Sequence, residues 1–272
     1  MLLDVKNLNV CWRDGKNEIQ LLKDITFEVK RNQCLGILGE SGSGKSLTCG
    51  AINGLLDESF QVTGNAFFEN QDLLTLKKEQ RRRIRGKKIA MILQSPMTAF
   101  NPLFTIGGHI AETMCMHLQC SSKEALDQMA QVFRRVNLSD PKMIYAKYPH
   151  ELSGGMLQRV MISIALALKP SLIIADEPTT AIDYVSQKEV ISELQMIREQ
   201  SETSVIFISH DLSLISHLAD QIMVLNKGQM VEYGPVQDVV GSPVSEHTQH
   251  LIQTRRLLVQ RFNHYMKNQH VN

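Results

Sequence analysis

The stretch Gly36-Ile37-Leu38-Gly39-Glu40-Ser41-Gly42-Ser43-Gly44-Lys45-Ser46 leaves a chain of 272 residues few folds to choose from. Gly39 to Ser46 fits G-x-x-x-x-G-K-[ST], the pattern of a loop that cradles phosphate. The apolar Cys34-Leu35-Gly36-Ile37-Leu38 before it reads as a buried strand, and Ser46-Leu47-Thr48-Cys49-Gly50-Ala51-Ile52 after it reads as a helix. Glycines in such a loop let successive N–H groups point into one concavity, and the helix N-terminus adds its partial positive charge there. Lys45 would then reach the β- and γ-phosphates of a nucleotide, with the Ser46 hydroxyl on Mg²⁺. The bland alternative is a glycine-rich surface turn, which has no need of a strand before it and a helix after it.

The length suits one α/β domain, with or without a small insert. The formal net charge is +1, so no global basic field draws the chain to nucleic acid or to an anionic membrane. Cys11, Cys34, Cys49, Cys115 and Cys120 form no C-x-x-C pair, and most have apolar neighbours. They are expected to be reduced core residues of a cytosolic protein. Met1-Leu2-Leu3-Asp4-Val5-Lys6 places charges where a signal peptide needs an apolar run. No stretch of ~20 apolar residues is present to span a bilayer, so a membrane role is expected to come through a partner.

Residues 2–30 alternate apolar and polar, which predicts antiparallel strands joined at Asp14-Gly15. Trp12, just after the first of them, is either a packing residue or a flat face for adenine. Gly64 separates two β-rich pieces within 55–70, which reads as a further strand pair. Arg81-Arg82-Arg83-Ile84-Arg85-Gly86-Lys87-Lys88 reads as a solvated helix end rather than a phosphate or RNA contact. Ile89-Ala90-Met91-Ile92-Leu93 is a buried strand with Gln94 at its end, either a loop-edge hydrogen bonder or a Mg²⁺ ligand that senses the γ-phosphate. From about Pro96 to about Ala165 the pattern is helical, with Met114, Met116 and Met129 as core or interface filler.

Ser153-Gly154-Gly155 leads into the helix from Met161 to Leu168. It is a second anion site or an ordinary N-cap. Leu172-Ile173-Ile174-Ala175 is a strand delivering Asp176 and Glu177. Alternation along a strand lets adjacent carboxylates point two ways, and both are too costly to bury for packing alone. Residues 184–200 read as a polar-faced helix and Ser204–Ser209 as a buried strand ending in His210, which is structural or a ligand contact. Asn226-Lys227-Gly228 marks a hairpin, and a helix is predicted from Glu246 to Phe262.

As a set these pieces resemble the ATP-binding cassette family over about residues 2–240. Gly39–Ser46 is similar to Walker A, Gln94 to the Q-loop and Leu152–Met156 to the signature sequence, with Met156 where glutamine is commonest. Leu172–Glu177 is similar to Walker B, Thr180–Asp183 to the D-loop and His210 to the switch histidine. Trp12 falls where the family carries its adenine-stacking aromatic, which favours the stacking reading.

The resemblance implies an α/β fold: a P-loop NTPase (RecA-like) core, an antiparallel β subdomain and an inserted helical subdomain at about 96–165. Residues 1–240 would form the ATPase domain and 241–272 a C-terminal helical extension. It implies ATP and Mg²⁺, with Glu177, His210, Gln94 and Lys45 catalytic. Trp12, Gly39, Glu40, Ser41, Gly42, Ser43, Gly44, Lys45, Ser46, Leu47, Ser153, Gly154, Gly155 and Asp183 would hold the nucleotide, and Ser46, Gln94 and Asp176 the metal.

Gln94–Pro102, Tyr148–Met156 and Ala175–Ala181 resemble the dipeptide, oligopeptide and nickel importers more narrowly. Leu157 stands where peptide members often carry arginine, and no cysteine follows Cys120, where many peptide members have a cluster. Both departures favour nickel or a metal–metallophore complex of the staphylopine type, with di- or oligopeptide as the alternative. The implied partners are a second, related but different ATPase chain, two membrane permeases and, indirectly, an extracellular solute-binding protein. The implied place is the cytoplasmic face of the membrane, and no nucleic acid is expected. A soluble cassette working on DNA or ribosomes would carry a long coiled-coil insert or a second cassette. A regulator without hydrolysis would not need Lys45, Asp176, Glu177 and His210 together.

Overall fold

The computed structural model describes residues 1–15, 17–179, 187, 190–192, 194–196, 198 and 203–254. Strands β1 (Leu3–Asp14) and β2 (Asn17–Val29) form the expected hairpin, paired from Leu3↔Val29 to Asp14↔Asn17. Trp12 lies inside β1, not after it. β3 (Cys34–Gly39) runs into the glycine loop, and α1 (Lys45–Asn53) follows.

Residues 55–70 differ from the expected strand pair. One strand, β4 (Phe60–Phe68), passes straight through Gly64 and pairs with β1. The register slips between Lys6 and Asn9, and Gly64 has φ 105 against the Asn7 carbonyl. Without a side chain the strand absorbs a bulge there instead of turning. A short β5 (Gln71–Asp72) closes that edge.

The arginine run is less solvated than its composition suggests. It lies on and after α2 (Lys78–Ile84). Arg81 donates to the carbonyls of Leu73 and Leu74, and Arg85 to those of Asn53 and Gly54 at the end of α1. Those carbonyls have no helical donor left, so cations there are favourable.

After β6 (Ile89–Ile92) come α3 (Pro96–Ala99), α4 (Ile106–Leu118), α5 (Ser122–Arg135), α6 (Pro141–Ala146) and α7 (Gly154–Ala167). Local chemistry starts them: the side chains of Thr105, Ser121, Asp140 and Ser153 each accept an N–H of the first turn. α5 buries Ala125, Met129 and Phe133 at helical spacing. Met114 is buried as well, while Met116 is exposed.

The chain then returns to the sheet with β7 (Leu172–Asp176), β8 (Ser204–Ser209), α8 (Leu212–Leu218), β9 (Gln221–Asn226), β10 (Gln229–Pro235) and α9 (Val236–Gly241). β9 and β10 make the predicted hairpin, with Lys227 and Gly228 both at positive φ, as a two-residue turn that follows strand twist requires. The expected helix from Glu246 is present as far as residue 254. Its start is held by Glu232, whose carboxylate accepts the N–H groups of Val244 and Ser245. The expected turn at Thr180–Asp183, with Asp183, lies outside the described residues, as do most of 184–200 and everything after 254.

The sheet runs β5-β4-β1-β2-β10-β9-β3-β8-β7-β6. The block β9-β3-β8-β7-β6 is parallel, and β5-β4-β1-β2 is antiparallel. β3 is buried on both faces: Leu35 and Ile37 belong to the core beneath α1, Cys34 and Leu38 to the core shared with α4, α5 and α7. Such two-sided burial explains runs that are continuously apolar rather than alternating. Cys34 and Cys49 are buried as expected of core thiols, but Cys11, Cys115 and Cys120 are only half-buried.

Candidate nucleotide site

In an open parallel sheet, ligands collect beyond the carboxyl ends of the strands. The order β3-β8-β7-β6 places four loops in a row at that edge. They carry, in turn, the glycine loop, His210, the pair Asp176 and Glu177, and Gln94. These positions span more than a hundred residues of sequence but only three strand spacings of roughly 4.8 Å.

The glycine loop wraps its own lysine. Lys45 Nζ donates to the carbonyls of Gly39 and Glu40, each at 2.9 Å, and lies 3.7 Å from Glu177 Oε1. Only 5% of Lys45 is exposed, and burial lowers its pKa against the pull of Glu177 and Asp176. A Cβ on Gly39 would collide with the Ser43 hydroxyl and the Leu225 carbonyl. Gly44 has φ 104, and a Cβ there would strike Leu22. The hairpin turn props the loop from outside, with Gly228 N–H donating to Ser43 O at 3.0 Å.

Asp176 ends β7 and is 6% exposed. Burial raises its pKa, opposed by the Ser46 hydroxyl, which donates to Oδ1 at 2.8 Å. Glu177 follows, but strand alternation is not what aims it. The strand stops at Asp176, and Glu177 has φ 44, with its N–H bonded to Ile208 O at 3.0 Å. A left-handed backbone is uncommon for a residue with a side chain and marks sites where structure elsewhere enforces it. It turns the carboxylate toward Lys45. Gln94 Nε2 donates to Glu177 Oε2 at 3.2 Å, and His210 Nδ1 is 3.4 Å from the same oxygen. One carboxylate thus gathers groups from three other loops.

The cavity above has a volume of about 670 Å³. Glu40, Ser41, Gly42, Gly44, Lys45, Ser46, Leu47, Gln94, Glu177 and His210 border it. Gly39, Ser43 and Asp176 lie beneath as its support, and the Ser43 hydroxyl is buried without a hydrogen-bond partner. Leu21 also borders the cavity, at the register shift between Val10↔Leu22 and Cys11↔Gln20. Nothing in its sequence context singles out Leu21, since one apolar residue in an alternating strand looks like any other. Trp12 is half-exposed, pairs with Ile19 and Phe60, and is not part of the cavity wall. Ser153, Gly154 and Gly155 also lie apart from the cavity, at the solvent-facing start of α7, where the Ser153 hydroxyl accepts Met156 N–H at 3.2 Å.

The donor set suits Mg²⁺. A hydroxyl and one buried carboxylate offer hard oxygens, and among the described residues no group of three or more His, Cys, Asp or Glu could cage a metal alone. Mg²⁺ is commonly held that way, by one or two carboxylates together with substrate phosphates.

A lysine held by loop carbonyls at the mouth of a parallel sheet, facing a carboxylate on the next-but-one strand, belongs to the P-loop ATPases with a RecA-like core. The sequence pattern described as "ABC transporter" matches residues 22–180. The chain belongs to the ABC transporter family and is an ATPase of that family. It is 42% identical over 266 residues to the metal-staphylopine import system ATP-binding protein CntD of Staphylococcus aureus (strain Mu50), covering 98% of this chain and 97% of that one. It is 41% identical over 254 residues to the dipeptide transport ATP-binding protein DppD of Haemophilus influenzae, covering 93% and 77%. Among solved structures it matches the ATP-binding cassette MJ0796, a post-hydrolysis dimer bound to ADP and Pi, with TM-score 0.78 at 25% identity, covering 86% of this chain and 99% of that one. Among the described residues no helix is long and apolar enough to cross a membrane.

Proposed function

We propose that this chain is the ATPase subunit of an importer whose cargo is a metal ion bound by a small chelator. The observation that carries the cargo is the 42% identity to the metal-staphylopine subunit over nearly the whole of both chains. Leu157 after Met156 supports it. The 41% identity to a dipeptide subunit keeps peptide as the second reading.

ATP would lie in the cavity with its phosphates on the glycine loop, and Lys45 would exchange the Gly39 and Glu40 carbonyls for phosphate oxygens. Ser46, Asp176 and the Gln94 amide oxygen would hold Mg²⁺, which supplies charge neutralisation on the phosphates. Glu177 polarises the attacking water and accepts its proton, and His210 contacts the γ-phosphate. Catalysis of this kind is positioning and electrostatic stabilisation. Trp12 would stack on adenine. It is the only tryptophan, so its fluorescence should respond to ATP. Trp12→Ala should raise the ATP Kd about fivefold, near 1 kcal/mol for one aromatic contact. An unaltered Kd would return Trp12 to packing.

The Ser153-Gly154-Gly155 turn is a solvent-exposed helix N-terminus that does not border the cavity of its own chain. It would close over ATP held by a second cassette, and the dimer of MJ0796 bound to ADP and Pi supports that pairing. Gln94 opens the segment leading to an apolar groove of about 310 Å³ walled by Leu55, Met91, Phe100, Met161 and Leu168. Leu103 and Phe104 stand exposed beside it, 80% and 53%. A cytoplasmic helix of a permease would fill that groove, so closure on ATP would move the permease at the cytoplasmic face of the membrane. Turnover by the purified chain should therefore rise with protein concentration and again with a partner cassette and permeases. Full-speed hydrolysis by a strict monomer would overturn the shared site.

Uptake tests the cargo. Cells lacking this gene should lose accumulation of nickel, cobalt or zinc supplied as chelator complexes, measured by elemental mass spectrometry, and keep growth on dipeptides. Loss of dipeptide growth with normal metal uptake would favour the second reading.

A further inference from the structure

We propose that His109 is a positioning residue for permease docking: it pins the turn Asn101-Pro102-Leu103-Phe104 into the shape that a permease helix meets at the apolar groove. The role rests on the permease reading of that groove and assigns the side chain that shapes its rim. The turn is built first from its own residues. Asn101 O accepts the Phe104 N–H at 3.2 Å, and the Asn101 side-chain oxygen accepts the Leu103 N–H at 3.0 Å. Asn at the first position and Pro at the second are what such a four-residue turn favours. Its tip is apolar, with Leu103 and Phe104 both exposed. Hydrogen bonds open to solvent break readily, so these alone hold the tip weakly.

His109 supplies a second hold. Its Nε2 lies 3.0 Å from Asn101 O. A carbonyl oxygen only accepts, so Nε2 carries the hydrogen, and the oxygen's two lone pairs are taken by the Phe104 N–H and the imidazole N–H. The ring also meets Phe100 and Phe104 edge-to-face, with centroids 5.2 and 6.0 Å away and interplanar angles of 83° and 78°. One side chain thus touches the buried Phe100 that walls the groove and the exposed Phe104 beside it.

His109 can brace the turn because its own helix is anchored. Its N–H closes the first turn of α4 on Thr105 O at 3.1 Å. The Ile106 N–H donates to Lys147 O at 2.8 Å, and Gly107 passes so near Tyr145 that a Cβ would fall 2.9 Å from the Tyr145 carbonyl oxygen. Ile106, Ile110 and Met114 are fully buried on the inner side of α4. The turn is therefore tied to α4 at one end of the segment 94–104. At the other end Gln94 bonds to Glu177 in the nucleotide cavity. His109 does not border that cavity, so its effect is expected on docking and not on ATP.

The test compares His109→Ala, His109→Phe and His109→Gln in the full chain. Glutamine keeps an amide N–H for Asn101 O, phenylalanine keeps a ring without the donor, and alanine keeps neither. Turnover is titrated with the importer's permeases in lipid at a fixed concentration of the partner cassette. Half-maximal stimulation should need about fivefold more permease in His109→Ala and His109→Phe, the effect of about one lost hydrogen bond. His109→Gln should need close to the wild-type amount. Turnover without permeases and the ATP KM should stay at wild-type values, a split that general destabilisation would not give. On the chain alone, hydrogen exchange at the Phe104 amide should quicken in His109→Ala and His109→Phe and not in His109→Gln. With a wild-type chain that permeases stimulate, three results would overturn the role of His109 and leave the importer reading in place: unchanged titrations in His109→Ala and His109→Phe, a His109→Gln chain as poor as His109→Ala, or an equal fall in turnover without permeases. A wild-type chain that permeases do not stimulate would overturn both.

Discussion

Glu177→Gln in an assembled transporter should bind ATP and fail to hydrolyse it, with turnover lower by about a thousandfold, within the usual span for loss of a general base. The amide is nearly isosteric, so the left-handed turn that aims the side chain and its backbone bond to Ile208 should persist. What disappears is the negative charge that Lys45, Gln94 and His210 surround. That charge also opposes the γ-phosphate, so ATP affinity should hold or improve. Phosphate release and equilibrium ATP binding, measured on the same preparation, separate the two effects. Turnover above a tenth of wild type would remove Glu177 from its role.

Lys45→Ala should weaken ATP binding by roughly a hundredfold, near 3 kcal/mol, as expected for losing hydrogen bonds between a cation and an anion. The ammonium is already stripped of most water, held by two neutral carbonyls and 3.7 Å from the Glu177 carboxylate. Moving it to phosphate therefore gains charge pairing with little further desolvation. Lys45→Arg should not rescue binding, because a planar fork does not fit a cage closed by Gly39, Glu40 and Glu177. Calorimetric titration with ATP decides it, with thermal unfolding as the control for folding. A Kd within threefold of wild type would place the phosphates elsewhere.

Local chemistry was readable in the chain itself. The glycine loop needs its glycines where a Cβ would collide, as at Gly39 and Gly44, and that need is written into the residues. Helix starts at Thr105, Ser121, Asp140 and Ser153 follow from side chains that accept nearby N–H groups. The hairpin at Lys227-Gly228 follows from a turn that needs positive φ. The helix caps and the hairpin involve partners a few residues apart, so the order of residues carries them, whereas the glycines are marked by their motif although Leu225 and Leu22, which a Cβ would strike, lie far off in the chain. Lys45 could be singled out by its glycine loop, and Asp176, Glu177, Gln94 and His210 as polar residues at or just after the end of an apolar run.

Neighbourhood was not readable that way. β3, β7 and β8 are all continuously apolar and buried on both faces, so periodicity alone cannot say which lies beside which. Only long-range pairing sets the order β3-β8-β7-β6, and with it the meeting of Gln94, Lys45 and His210 on Glu177. Gly64 was misread because a glycine that ends a strand and one that lets it bulge look alike until the Asn7 carbonyl is opposite. Leu21 entered the cavity wall through a register shift on β2, and the solvent-facing Ser153 turn acquired its direction from the packing of α7. The sequence by itself determined which polar and charged groups stand in the glycine loop and at the strand ends. The tertiary structure decided which of them meet, because strand order and register are settled by contacts between residues far apart in the chain.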